Sequence, residues 1–186
     1  MEIAAGAGLA ASGRFGPEHA SEDAVLVRQA GAGDEVAFAR LYDRYGRMVH
    51  GLLLARVGRN DVDDLVQDVF LAAWRRLGAL RDPAAFGGWL ATIARNRATD
   101  FQRRHQGCEE LPDHLAAPEA ASARLEARAV LAVIRGLPPA YRETLVLRLV
   151  EGLTGPEIAG QTGLTAASVR VNLYRGMKLL REKLGT

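Results

Sequence analysis

Apolar residues recur at steps of three and four along most of this chain, and nowhere does the pattern alternate as a strand would. The first periodic stretch follows Ser21, where SEDAVLVRQ predicts a short helix that Gly31-Ala32-Gly33 breaks. A long helix is expected from about Asp34, with Phe38, Leu41, Tyr42, Tyr45, Val49 and Leu52 or Leu53 turned inward. Gly58-Arg59-Asn60 interrupts the period. Asp61 is placed to cap the next helix, in which Val62, Leu65, Val66, Val69, Phe70, Ala73 and Trp74 fall at i, i+3, i+4 and i+7. Gly78 to Pro83 reads as a loop. A further helix is expected from about Ala84 to Arg104, burying Phe86, Trp89, Leu90, Ile93 and Ala94.

The period then stops. HQGCEELPDHLAAPEA, residues 105–120, has two prolines, four acids once Glu119 is included, and no apolar repeat, which describes a linker. Helical spacing resumes near Ala121 and runs to Arg135, Leu137-Pro138-Pro139 punctuates it, and Tyr141–Glu151 forms the next helix. The last stretch, TGPEIAGQTGLTAASVRVNLYRGMKLLRE at 154–182, reads as a helix-turn-helix. Thr154 is a plausible N-cap, Pro156 and Glu157 suit a first turn, Ile158 and Ala159 face inward, and Gly163 makes the corner. Thr165 caps the second helix, whose packed stripe is Val169, Leu173, Leu180 and Leu184. The fold class expected is all-α: two small helical domains joined by a flexible acidic linker. The boundaries are 1–20 for a disordered tail, 21–104 for the first domain, 105–123 for the linker and 124–186 for the second.

Charge sharpens this picture. The formal net charge of the 186-residue chain is only +2, which by itself would not suggest nucleic acid. Its distribution does: residues 75–104 carry seven basic side chains against Asp82 and Asp100, and residues 124–186 carry ten against five acids. Between these blocks, residues 105–123 hold four acids and no Lys or Arg. A lone cysteine, Cys108, permits no internal disulfide and fits a reducing, cytoplasmic compartment. His105, Cys108 and His114 lack a fourth ligand, so no metal and no cofactor are expected. No apolar run approaches the roughly 20 residues a bilayer span requires, and the first 20 residues lack the charged and apolar regions of a signal peptide.

Three polar surfaces remain. Asp63, Asp64, Gln67 and Asp68 lie opposite the apolar stripe of their helix, and they suit either the helix dipole and solubility or docking onto another protein. FGGWLATIARNRATDFQRR interleaves Trp89 with Arg95, Asn96, Arg97, Asp100, Arg103 and Arg104. Cations there can track phosphates while aromatic faces and amide edges hold unstacked bases. Trp89 suits the core equally well, but Asn96 sits mid-helix, where its propensity is poor and a base contact explains it more simply. In the last helix Ser168, Arg170, Val171, Asn172, Arg175 and Lys178 face outward, with Arg170 and Asn172 suited to guanine and adenine edges and Arg175 and Lys178 to phosphates.

DVDDLVQDVFLAAW, FGGWLATIARNRATDFQRR and LPPAYRETLVLRLVEGLTGPEIAGQTGLTAASVRVNLYRGMKLLREKL occur in that order, and together they resemble bacterial RNA polymerase sigma factors of the extracytoplasmic-function (ECF) group. The resemblance covers about residues 34–104 and 124–184. It implies a non-enzymatic specificity subunit whose partners are core RNA polymerase and promoter DNA. An inhibitory anti-sigma factor is typical of the family, and no segment here identifies one. Carried over by position, Asp64, Gln67 and Asp68, with Asp63 beside them, would dock on polymerase. The loop 78–85, with Trp89, Asn96, Arg97, Asp100, Arg103 and Arg104, would hold the melted −10 strand. Ser168, Arg170, Val171, Asn172, Arg175 and Lys178 would read the −35 duplex. Arg170-Val171-Asn172 stands where many relatives carry Lys-Ser-Arg, so promoter preference does not transfer. Two rivals are a helix-turn-helix regulator acting without polymerase, which leaves 61–104 without a role, and a protein-only adaptor, against which the two basic blocks argue.

Overall fold

Most sequence signals for a helix start or stop have a structural counterpart in the computed structural model, which describes residues 17–105 and 118–185. Eight α-helices occur among them: α1 Pro17–Gly31, α2 Glu35–Leu54, α3 Val62–Arg76, α4 Phe86–Arg104, α5 Pro118–Arg135, α6 Pro139–Leu149, α7 Gly155–Thr162 and α8 Ala166–Leu184. Short 3-10 turns at Arg59–Asp61, Leu77–Ala79 and Pro83–Ala85 join helices of the first half. The described residues contain no strand, as the unbroken helical period requires. Most of the expected tail, and residues 106–117 of the expected linker with Cys108 and His114, lie outside the described residues. The helices begin earlier than the period indicated, α1 at Pro17 rather than near Ser21 and α5 at Pro118 rather than near Ala121.

Local chemistry sets the ends. Asp34 caps α2 by accepting from the backbone N–H groups of Val36 and Ala37 at 2.9 and 3.1 Å. Thr154 and Glu157 form a reciprocal capping box at the start of α7, with Pro156 inside the first turn, where no backbone donor is missed. Such a cap contributes on the order of 1 kcal/mol, which matters in a helix of eight residues. Gly163 follows at φ 75°, the left-handed conformation that lets the chain turn into α8. Asp61 differs from expectation: its side chain makes no capping bond, because the chain enters α3 through the 3-10 turn and Asp61 already has helical dihedrals.

Helices α1 to α4 pack around Leu41, Met48, Leu52, Leu53, Phe86 and Leu90, all essentially inaccessible to solvent. Helices α5 to α8 pack around Ile134, Leu145, Leu147, Ile158, Val169 and Leu180. Two inward assignments need correction, and Phe38, Ala159 and Leu173 of the inward sets are half-buried. Tyr42 is 40% exposed, its ring leaning on Phe70 at 4.4 Å from the helix surface, and Leu184 is 41% exposed because α8 outruns the helices beneath it. Trp89 is half-buried. Met48, which the apolar set for α2 omitted, is fully buried.

A buried polar group braces α1. Asp23 accepts a hydrogen bond from the Tyr45 hydroxyl at 2.7 Å and pairs with Arg44, which also reaches Glu22. Burial first, and then the Asp23 carboxylate, push the Tyr45 phenol far above its ordinary range, so it stays protonated and donating. The Tyr45 ring meets Phe86 edge-on at 5.1 Å, so this network reaches the start of α4.

The two helical units touch. Helix α2 packs on α6 and α7, and α4 packs on α7, so the described buried apolar residues form one continuous cluster. A linker between two domains is legible in the sequence; this contact is not.

Candidate nucleic-acid interface and docking faces

Helix α3 presents Asp63, Asp64, Gln67 and Asp68 to solvent while Val62, Leu65, Val66, Val69 and Phe70 are buried. The face arises from the period: 62, 65, 66 and 69 form the inward stripe and 63, 64, 67 and 68 the opposite one. Asp63 and Asp64 stand in the first turn, where the exposed N–H groups favour negative charge.

In the loop between α3 and α4, the Asp82 carboxylate accepts from the Ala84 N–H at 3.0 Å and starts the Pro83–Ala85 turn. Phe86 then drops into the core, 1% exposed, and Trp89 lies against it with ring centroids 5.9 Å apart. Further along α4, Asn96 is exposed and its side-chain amide makes no hydrogen bond to any described residue. Arg97 is half-exposed, while Arg103 and Arg104 are exposed at the helix end. Asp100 pairs with Arg103 one turn on, and its backbone carbonyl accepts from Arg104 Nε at 3.3 Å. Its carboxylate therefore holds a cation in place and reduces the net positive charge at that end.

One cation of this helix is diverted. Arg95 Nε donates at 3.0 Å to the buried carboxylate of Glu143 on α6, whose other oxygen accepts from Arg56 Nε at 3.0 Å and Nη2 at 2.6 Å. The sequence groups Arg95 with the other arginines of this helix as a cation able to track phosphates; its pairing with Glu143 takes it out of that group. The missed signal was Glu143 itself, an acid inside the buried run Glu143–Leu147.

Helix α8 is anchored through Val169, Gly176 and Leu180, leaving Arg170, Val171, Arg175 and Lys178 exposed and Asn172 half-buried. Ser168, Asn172 and Arg175 fall along one i, i+4, i+7 stripe, with Val171 and Lys178 beside it. Arg170 turns toward a second stripe with Tyr174 and Arg181. The Ser168 hydroxyl is shared with Thr165 Oγ1 at 2.8 Å as part of the cap. Lys178 lies 4.0 Å from Glu182, an exposed pair that leaves the ammonium accessible. Tyr174, 75% exposed, escaped the sequence reading; with Leu149, Leu173 and Met177 it lines an open groove rimmed by Arg148, Lys178 and Arg181. Among the described residues no group of three or more His, Cys, Asp or Glu side chains converges as a metal site. No helix there is long and apolar enough to cross a membrane.

His50 supplies a pH-dependent contact between the units. Its Nδ1 lies 2.6 Å from Glu151 Oε1. That hydrogen bond, more than burial and the nearby Arg59 oppose it, raises the imidazole pKa, and the charge of Asp63 adds to the effect. A raised folded-state pKa stabilises the protonated form. The contribution is complete below the unfolded value of about 6.5 and is lost as pH rises through the raised one. The stability difference between the native chain and His50→Gln, from urea unfolding, is therefore expected to shrink as pH rises from about 6.5 into the alkaline range. A difference that stays constant across that range overturns the assignment.

Two helical units, the second ending in a capped helix-turn-helix with an outward basic helix, define the class: a helix-turn-helix DNA-binding protein. Residues 41–107 match the family model Sigma-70 region 2, and residues 127–180 match Sigma-70, region 4. The chain is 34% identical over 168 residues to the RNA polymerase sigma factor NccH of Alcaligenes xylosoxydans xylosoxydans, spanning 83% of this chain and 90% of that one. It is 32% identical over 180 residues to the ECF RNA polymerase sigma-E factor of Haemophilus influenzae, spanning 87% and 95%. The solved structure of CnrH in complex with the cytosolic domain of CnrY superposes with a TM-score of 0.62 at 31% identity, covering 88% of this chain and 97% of CnrH. The chain belongs to the ECF sigma factors, and its function is promoter-directed transcription initiation.

Proposed function

We propose that the chain binds core RNA polymerase through the acidic face of α3, captures the melted −10 strand with the 78–85 loop and α4, and reads the −35 duplex with α8. In domain terms, residues 21–104 would dock and melt, residues 124–186 would read duplex, and 105–123 would connect them. The observation that carries the reading is Asn96. It is an exposed amide with no hydrogen-bond partner among the described residues, mid-helix, beside the half-exposed Arg97. An exposed amide edge can hydrogen-bond the Watson–Crick edge of an unstacked base, and Arg97, Arg103 and Arg104 on the same helix can hold the neighbouring phosphates. Extruding a base costs a few kcal/mol, which these contacts must offset. The chain performs no covalent chemistry in this scheme; it also fits an anti-sigma partner, since CnrH was solved bound to CnrY.

Transcripts raised by overexpression identify the promoters to test. On such a fragment, specific binding is expected only when core polymerase is added, which separates this reading from an independent helix-turn-helix regulator. Asn96→Ala is expected to lower open-complex formation roughly tenfold to a hundredfold, the equivalent of one base contact, and to leave polymerase binding intact. Unchanged opening by this variant would sink the base-capture assignment.

A further inference from the structure

The outward stripe of α8 carries one apolar side chain at its centre. Val169, Gly176 and Leu180 anchor the helix in the core, and Val171 stands on the opposite side, 45% exposed. Ser168, Val171, Arg175 and Lys178 follow one another at i, i+3, i+7 and i+10, so they share a face, and all four are exposed. Arg175 makes no hydrogen bond or ion pair with a described residue, and Lys178 has its exposed partner Glu182 at 4.0 Å. The Ser168 hydroxyl is held by Thr165 Oγ1 at 2.8 Å within the helix cap. The groove beside Tyr174 does not include Val171; its apolar lining is Leu149, Leu173, Tyr174 and Met177. Val171 thus sits in a cationic stripe within the first two turns of α8, the part of a recognition helix that meets base edges.

We propose that Val171 is a specificity-determining residue that reads the C5-methyl group of a thymine in the −35 duplex. The inference rests on the function proposed above and adds the base that this position selects. A valine side chain has neither donor nor acceptor, so it cannot hydrogen-bond a base edge. Of the groups that distinguish base pairs in the major groove, only the thymine methyl is apolar; the others are donors and acceptors. A serine here, by contrast, can bond the edge of any base and selects no methyl. Stiffness suits valine to the contact as well. In a helix its χ1 holds one rotamer in about nine cases of ten, so its methyls are already placed and little freedom is lost on binding. The flanking cations supply affinity through phosphates, which carry no sequence information directly. Covering the thymine methyl removes apolar surface from water on both partners, and that supplies discrimination.

The test uses holoenzyme assembled from core polymerase and the full chain, on a promoter identified by overexpression. Each thymine of the −35 box, on either strand, is replaced in turn by deoxyuridine, which keeps the base pair and lacks only the methyl. One replacement is expected to weaken binding about fourfold, the equivalent of one methyl-sized group left uncovered. Val171→Ala should lose a similar factor on the thymine promoter and nothing further on the uracil one. Circular dichroism confirms that this exposed substitution leaves the helices intact. A −35 box with no thymine on either strand, or one in which no replacement weakens binding, overturns the proposal. So does a replacement that costs Val171→Ala as much as the parent, since another side chain then covers the methyl. Arg175→Ala separates this inference from the reading beneath it. Parental affinity and salt dependence in that variant show that α8 does not read the −35 duplex, and both fail. Weakened binding by Arg175→Ala with uracil tolerated throughout removes the thymine contact alone.

Discussion

Exchanging Asp64 and Asp68 together for lysine is expected to abolish recovery of the protein with core RNA polymerase while leaving it folded. Both carboxylates are exposed, on the helix face opposite buried Leu65, Val66 and Val69. Neither makes a hydrogen bond or ion pair with a described residue. Substitutions at such positions usually change stability by about 0.5 kcal/mol or less, and a cation in the first turn of α3 adds a penalty of roughly 0.3–1 kcal/mol. The fold therefore survives. Under the docking role proposed for this face binding does not, because two acids at the contact would become cations, and unfavourable charge juxtaposition costs several kcal/mol, a loss of a hundredfold or more. Co-purification checks the outcome, with circular dichroism confirming the helices. Normal recovery would assign the acids of α3 to solubility and dipole complementation alone.

Phe86→Ala has the largest expected effect on stability, about 3–5 kcal/mol by loss of transfer energy and by the cavity left behind. Phe86 is 1% exposed, meets Tyr45 edge-on and supports Trp89 from below. Typical domains are stable by about 5–15 kcal/mol, so the loss removes a large share of what holds the chain folded. The substitution also frees the end of the 78–85 loop, since Phe86 directly follows the Pro83–Ala85 turn. Urea unfolding measures the first effect. A loss below about 1 kcal/mol would show that the pocket collapses onto the space and that Phe86 is not the pin of this corner.

These expectations draw on features of unequal legibility. The helices, the N-cap at Thr154 and the turn at Gly163 were readable because each depends on residues within one turn of chain. The outward faces of α3 and α8 were readable for the same reason: a period of 3.6 assigns them without knowledge of the partner. The fate of Arg95 was not, because its acid lies 48 positions away on α6. Nor was the role of Gly51, which within GLLLA looks like a flaw in a helix until α6 is laid across it. Tyr42 and Leu184 failed differently. Their spacing is correct for burial, but no neighbouring helix extends far enough to cover them. Local rules reach as far as a helix and its faces; the seam between the units depends on pairs that only the folded chain brings together.

The placement of the aromatic residues has a practical result. Both tryptophans of the chain, Trp74 and Trp89, belong to the first helical unit, while the second contributes only the phenols Tyr141 and Tyr174. Indole emission thus reports on one half of the molecule alone. Unfolding of that half can therefore be followed separately, in solution and without any added dye.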